Sequence, residues 1–228
     1  MFAQGQQHRL IYHEIDFPAT SGKKLQLVQA VPALRAILPD VQGTEHEWSS
    51  ANLPNGCQYW CHGVDLRELP ATDSVKSLQG MRADVPTLVV SECCLCYLEV
   101  GDATAVVKHF TDKIHDLSLI LYEPILPHDA FGQQMVSNLA ARRLRMPTVQ
   151  TYVDSQRQQK RLRDAGFEQA RGMTIGEVWK NWTPPDEKTR VDSLEGLDEV
   201  EEWDLLASHY MLAWGWRGTG FGGWSRQQ

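Results

Sequence analysis

No stretch of this sequence approaches the roughly 18 consecutive apolar residues that carry a helix across a bilayer. The opening residues, Met1-Phe2-Ala3-Gln4-Gly5-Gln6-Gln7-His8, also lack an apolar core of signal-peptide length. A cytoplasmic or nuclear protein with no membrane partner is therefore expected. Positive charge is in short supply: 22 Lys and Arg face 29 Asp and Glu, for a net charge of −7. That balance argues against a surface built to follow nucleic-acid phosphates, while leaving room for a small basic pocket. No internal repeat is visible.

Cysteine is scarce and odd in number. Of the five, Cys93, Cys94 and Cys96 crowd into one apolar segment, where they make no disulfide framework and read as buried, reduced thiols. Cys57 and Cys61 stand at C-x3-C spacing with no second pair to complete a zinc set, so no metal is expected. Histidine offers no metal-like spacing either: His109 and His115 lie in or just after a helical stretch, His62 lies in a strand, and His8, His13, His46, His128 and His209 are scattered. No Ser-His-Asp or Cys-His arrangement is evident, and no catalytic acid, base or nucleophile is singled out. The eight tryptophans, among them Trp179, Trp182, Trp203, Trp214 and Trp216, read as packing groups rather than a base-stacking platform.

What is present is an ordinary globular composition, 42% apolar and 22% charged, in a chain of 228 residues, which suits one domain with one core. Residues 9–15 alternate as a strand that Pro18 ends. Leu25, Val28, Val31, Leu34 and Ile37 fall on one helical face that Pro32 interrupts. Residues 41–55 read as a loop, 58–64 as a strand, and 74–81 as helical. Residues 86–90 form an unbroken apolar run of the kind found in strands covered on both faces. A helix over 100–114 and a buried strand over 117–122 complete a βαβαβαβ alternation, which predicts a mostly parallel sheet with helices on both faces and a ligand site at the carboxyl ends of the strands.

Four of these strands end in an acid: Asp16, Asp65, Glu92 and Glu123. Four in succession suggest a ligand with hydroxyls or positive charge lying across one sheet edge, although any one of them alone is explained as a cap. Further on, residues 129–145 and 155–165 read as helices, the second closed by Gly166 and followed by a strand over 167–171. Residues 184–203 read as a solvated acidic helical face, 209–216 as an aromatic strand, and 218–223 as a frayed tail.

A helix ending in Ala165-Gly166-Phe167, a strand, and a last aromatic strand resemble the close of a class I methyltransferase sheet, whose final strands pair antiparallel. More specific are Ser91-Glu92-Cys93-Cys94-Leu95-Cys96-Tyr97-Leu98, Tyr122-Glu123-Pro124, Asp129-Ala130-Phe131-Gly132-Gln133-Gln134-Met135 with Asn138-Leu139, and Met146-Pro147-Thr148. With Asp192-Ser193-Leu194-Glu195-Gly196-Leu197-Asp198-Glu199-Val200-Glu201-Glu202-Trp203 and His209-Tyr210, these resemble the leucine carboxyl methyltransferases over roughly residues 9–217. The resemblance implies a Rossmann-like α/β fold with a helical lid and S-adenosyl-L-methionine as cofactor. It also implies transfer of a methyl group to the C-terminal leucine carboxylate of the protein phosphatase 2A catalytic subunit, by a chain expected to be monomeric.

By the same resemblance, Asp16 would hold the cofactor ribose hydroxyls, Asp65 and Leu66 would sit beside the adenine, and Glu92 would face the cationic methionine end. Tyr97 would stand where the leucine carboxylate enters. Family members begin upstream with a basic region and a first strand ending in a Gly-x-Gly turn. Residue 1 of this sequence falls just before the family's second strand, so an N-terminally truncated domain with weak cofactor binding is expected. Two other readings stay open: a catalytically silent fragment that binds the phosphatase, and a related enzyme methylating a carboxyl on a modified tRNA base.

Overall fold

The computed structural model describes residues 9–71, 78–194 and 199–226. Residues 74–77 of the helical stretch expected over 74–81, and Glu195–Asp198 of the acidic segment, lie outside them; the described remainder, Leu78–Met81, forms a turn closed by the Met81 N–H on the Leu78 carbonyl at 3.2 Å rather than a helix. The chain divides into two compact units, Met1–Ala83 and Asp84–Gln228.

In the first unit, β1 (Ile11–Asp16) is followed by α1 (Pro18–Ala30) and α2 (Pro32–Ile37). Pro18 occupies the first helical turn, where its missing N–H costs nothing, so the helix begins earlier than the apolar spacing suggests. Val31 is extended between the helices (φ −93°, ψ 114°), as a residue preceding proline prefers. The segment expected as a loop, 41–55, instead contributes β2 (Gln42–Gly43) and β3 (Glu47–Ser50), which extend the sheet antiparallel from β4 (Gln58–Gly63). The strand order is β1-β4-β3-β2, with β1 and β4 parallel. Trp48 explains why β3 forms: its ring is 1% exposed, its indole N–H donates to Ser21 Oγ at 3.2 Å, and it packs with Leu25, Val28, Tyr59 and Cys61.

The second unit opens with β5 (Thr87–Glu92), α3 (Val100–Lys113) and β6 (Leu117–Pro124). It continues through α4 (Ala130–Ala141), α5 (Ser155–Asp164), β7 (Gln169–Thr174), α6 (Ile175–Asn181), α7 (Pro185–Leu194), α8 (Val200–Ser208) and β8 (Tyr210–Arg217). The sheet runs β5-β6-β8-β7, parallel between β5 and β6 and antiparallel on both sides of β8. Thus the α/β class is as expected, but the strands form two mixed four-stranded sheets rather than one mostly parallel sheet. β5 departs from its apolar run: Leu88 is 45% and Val90 63% exposed, so this strand is not covered on both faces.

The caps are local and legible. Asp154 accepts from the Arg157 N–H at 2.8 Å to start α5, and Gly166, at φ +101°, ends it in the left-handed conformation that glycine adopts without strain. The segment read as a tail makes defined contacts: the Thr219 and Gly220 N–H groups donate to Asp116 Oδ1, and the Trp216 and Trp224 rings lie 6.2 Å apart. No helix among the described residues is long and apolar enough to cross a membrane.

Candidate functional site

In the first unit the parallel pairing of β1 and β4 brings two of the predicted acids to the same sheet edge. Asp16, the last residue of β1, stands opposite Gly63, and the Val64 N–H donates to the Asp16 carbonyl at 2.8 Å. Asp65 follows one residue later. Asp16 Oδ1 accepts from the Phe17 N–H at 2.7 Å. Asp65 is already engaged by Arg67, whose Nε lies 3.0 and 3.1 Å from its two oxygens and whose backbone N–H donates at 3.0 Å. The Arg67 hydrogen bonds hold the Asp65 carboxyl below the usual carboxylate range, so it stays charged at neutral pH. Leu66, half-buried, opens the turn that follows.

The second unit carries Glu92 and Tyr97. Glu92 ends β5 in register with Tyr122 and is exposed. The chain then turns at Cys93, whose N–H donates to the Tyr122 carbonyl at 2.9 Å, and passes through a short 3-10 turn over Leu95–Tyr97. Tyr97 is 41% exposed, and its hydroxyl is pushed up from its ordinary value chiefly by partial burial. Tyr122 and Tyr210 stack with centroids 5.5 Å apart. Tyr210 also borders a cavity of about 310 Å³ whose walls include Phe131, Met135, Leu139 and Leu206, with Arg142 at its lining. A second cavity, of about 460 Å³, lies against Arg171, Trp182 and Trp214.

Glu123 departs from the expectation for strand-end acids. It is wholly buried, accepting from Arg161 Nη1 at 2.8 Å and from the Gln158 side-chain amide at 3.0 Å. A carboxylate closed in by its own ion pair is a packing element rather than a ligand-facing group. Of the three cysteines expected to be buried only Cys96 is; Cys93 is half-buried and Cys94 exposed, while Cys57 and Cys61 are buried in the first unit.

One polar arrangement escaped the sequence reading. His13 Nδ1 lies 3.0 Å from His62 Nε2, and His62 Nδ1 lies 2.7 Å from Glu47 Oε1, with the Trp60, His62 and His13 rings stacked. Burial, and next the neighbouring His62, lower His13 from 6.5 to about 4; burial likewise lowers His62. The only signal in the sequence was that both histidines sit in strands, and strand register is not written there. In the second unit His209 Nε2 meets the Asp129 carboxylate at 2.8 Å, while Asp129 caps α4 by accepting from the Gly132 N–H at 2.8 Å. No cluster of three or more His, Cys, Asp or Glu suited to a metal occurs among the described residues.

The architecture is that of the class I methyltransferases. It aligns with a DUF574 family protein from Streptomyces avermitilis at a TM-score of 0.56, with 11% identity over 95% of this chain and 68% of that one. A candidate methyltransferase from Thermobifida fusca aligns at a TM-score of 0.51, with 11% identity over 92% of this chain and 64% of that one. At such identities the likeness is one of fold.

Sequence relationship narrows the class. The profile of the leucine carboxyl methyltransferase family matches residues 1–111. Leucine carboxyl methyltransferase 1 of Emericella nidulans is 41% identical over 94% of this chain and 61% of its own length. The tRNA wybutosine-synthesizing protein 4 of Rattus norvegicus is 32% identical over 92% of this chain and 30% of its own length. The chain is thus similar in sequence to the leucine carboxyl methyltransferases, and it spans about three fifths of the length of the curated relatives bearing that name.

Proposed function

We propose that this chain is part of an S-adenosylmethionine-dependent methyltransferase that esterifies a protein C-terminal leucine carboxylate, that of the protein phosphatase 2A catalytic subunit. The observation that carries the reading is the 41% identity to a leucine carboxyl methyltransferase along 94% of the chain.

The residues suit the cofactor in part. Asp16 has one carboxylate oxygen given to its neighbour's N–H, which leaves acceptor capacity for ribose hydroxyls, and exposed Glu92 offers a charge for an ammonium or sulfonium cation. Asp65 is committed to Arg67, so its role beside the adenine would be shared with that guanidinium, and Leu66 would supply apolar contact. The cofactor, when bound, supplies a methyl group made electrophilic by its sulfonium.

A C-terminal carboxylate titrates at about 3.3–3.7 and is already a nucleophile at neutral pH. The protein has no proton to remove; its work is to desolvate and orient that carboxylate. Tyr97 is placed in this reading to donate to it. The cavity walled by Phe131, Met135, Leu139 and Leu206 suits a leucine side chain, with Arg142 available for the negative charge beside it.

Incubating the whole protein of which this chain is proposed to be a part with labelled S-adenosylmethionine and phosphatase catalytic subunit, either intact or lacking its last leucine, tests the proposal. Base-labile label on the intact subunit alone is expected. A second reading, methylation of a carboxyl on a modified tRNA base, is favoured by the 32% identity to the rat wybutosine-synthesizing protein. Label entering tRNA and not the phosphatase would replace the first reading with the second, and binding of the phosphatase without label transfer would indicate a silent binding fragment.

A further inference from the structure

Cys93 and Cys96 make a C-x-x-C pair in the connection between β5 and α3. Cys93 has φ 43°, a left-handed conformation that a residue with a side chain seldom adopts, and it turns the chain sharply off the end of β5. The turn then closes through hydrogen bonds from the Tyr97 N–H to the Cys94 carbonyl and from the Leu98 N–H to the Leu95 carbonyl, each 3.2 Å. Cys93 packs against the cluster of Cys96, Met146 and Val149, which places the two thiols side by side.

The two sulfurs differ in access. Cys96 is 0% exposed, Cys93 is half-buried, and Cys94 is exposed and is not among the residues of that cluster. The neighbouring Cys96 thiol holds the Cys93 thiol below its ordinary value, which raises its thiolate fraction, whereas Cys93 and burial push the Cys96 thiol up. One reachable, more acidic thiol beside one shielded thiol is the division of labour that disulfide exchange requires. Methyl transfer uses neither.

We propose that Cys93 and Cys96 are a thiol–disulfide exchange site, with Cys93 as attacking and Cys96 as resolving thiol toward a small disulfide of the glutathione type. Cys93 Sγ releases its proton to solvent and attacks one sulfur of the small disulfide, whose S–S bond breaks and whose other half leaves as a thiolate. Cys96 Sγ then releases its proton and attacks Cys93 Sγ, forming the internal S–S bond and expelling the second thiolate. The two thiolates take up the two protons. The cysteine pair loses two electrons, and the small disulfide is reduced to two thiols. The bridge would clamp the turn that joins Glu92 to Tyr97.

The test is to incubate the 228-residue chain with oxidised glutathione, quench with acid, alkylate the remaining thiols and map the peptides by mass spectrometry. The expected product has lost the mass of two hydrogen atoms, carries Cys93 and Cys96 in one bridge, and is restored by dithiothreitol. C94S should give the same bridge, and C96S should stop at a glutathione adduct on Cys93. A bridge that involves Cys94, a bridge that survives in C93S, an unresolved adduct on the unsubstituted chain, or no modification of Cys93 would each overturn the proposal. The unsubstituted chain and C94S decide the matter even where C96S fails to fold. All of these readouts are independent of methyl transfer, so their failure leaves the proposed activity untouched.

Discussion

Arg161 Nη1 donates to Glu123 Oε2 at 2.8 Å, with both side chains closed to solvent. Gln158 donates to the same carboxylate oxygen, and the Arg161 guanidinium lies 4.5 Å from the Tyr152 ring centroid. Removing one partner strands the other charge. Arg161→Met should therefore lower unfolding free energy by about 3–5 kcal/mol, and the double substitution Glu123→Leu with Arg161→Met should recover much of that. Urea midpoints of the single and double variants check this; equal loss in both would mean that packing rather than charge is at stake.

The His13–His62 pair makes stability depend on pH. Both histidines are lowered in the folded state, His13 to about 4 from 6.5, so between these values the unfolded chain binds more protons than the folded one. The stabilisation is complete above about 6.5 and is lost as pH falls toward 4. His13→Gln should flatten the fall in the denaturation midpoint across this window, and an unchanged slope would exclude His13 as its source.

Asp129 holds two elements together. It caps α4 and meets His209 on the far side of the chain, and the Gly132 N–H, followed by His209, keeps its carboxyl below the usual range. Asp129→Ala should cost about 0.5–2 kcal/mol, the range for a lost helix cap. Because the folded carboxyl is lowered, this stabilisation is present above the unfolded value and disappears as pH falls through the folded one. Thermal unfolding of the variant at neutral and acid pH should show the difference shrinking in acid.

In the whole protein of the proposed function, Glu92 and Tyr97 separate in their effects. Glu92→Ala removes a charge partner from a cationic ligand and should weaken cofactor binding. Tyr97→Phe removes one hydroxyl donor, so cofactor affinity should persist while turnover on a leucine-ended phosphatase falls about 10- to 100-fold, the worth of one hydrogen bond to a charge. Calorimetry paired with methyl-transfer rates decides the division; parallel loss of cofactor affinity in both variants would abolish it.

Arg142→Met addresses the substrate side alone. With its charge gone from the cavity lined by Phe131, Met135 and Leu206, the KM for the leucine-ended substrate should rise about tenfold with cofactor affinity unchanged, in line with a single charged contact. An unchanged KM would place the carboxylate elsewhere.

The sequence by itself determined what depends on neighbours in the chain. Apolar periodicity marked the helix at 100–114. Gly166 marked a helix end, and Asp16 and Glu92, closing β1 and β5, were visible because a strand's end is a local event, whereas Asp65 falls two residues beyond β4. The quoted motifs were enough to indicate kinship with the leucine carboxyl methyltransferases. What only the tertiary structure decided is which of these groups meet. Glu123 looked like its fellow acids until α5 placed Arg161 and Gln158 against it; that helix, almost wholly polar in sequence, buries both. His13 and His62 became a pair only through the register of β1 on β4, 49 positions apart. β3 formed in a segment read as a loop because Trp48 found a cavity to fill. Strand register and charge pairing are settled by long-range burial, where the energy of a contact depends on a partner that local pattern does not name.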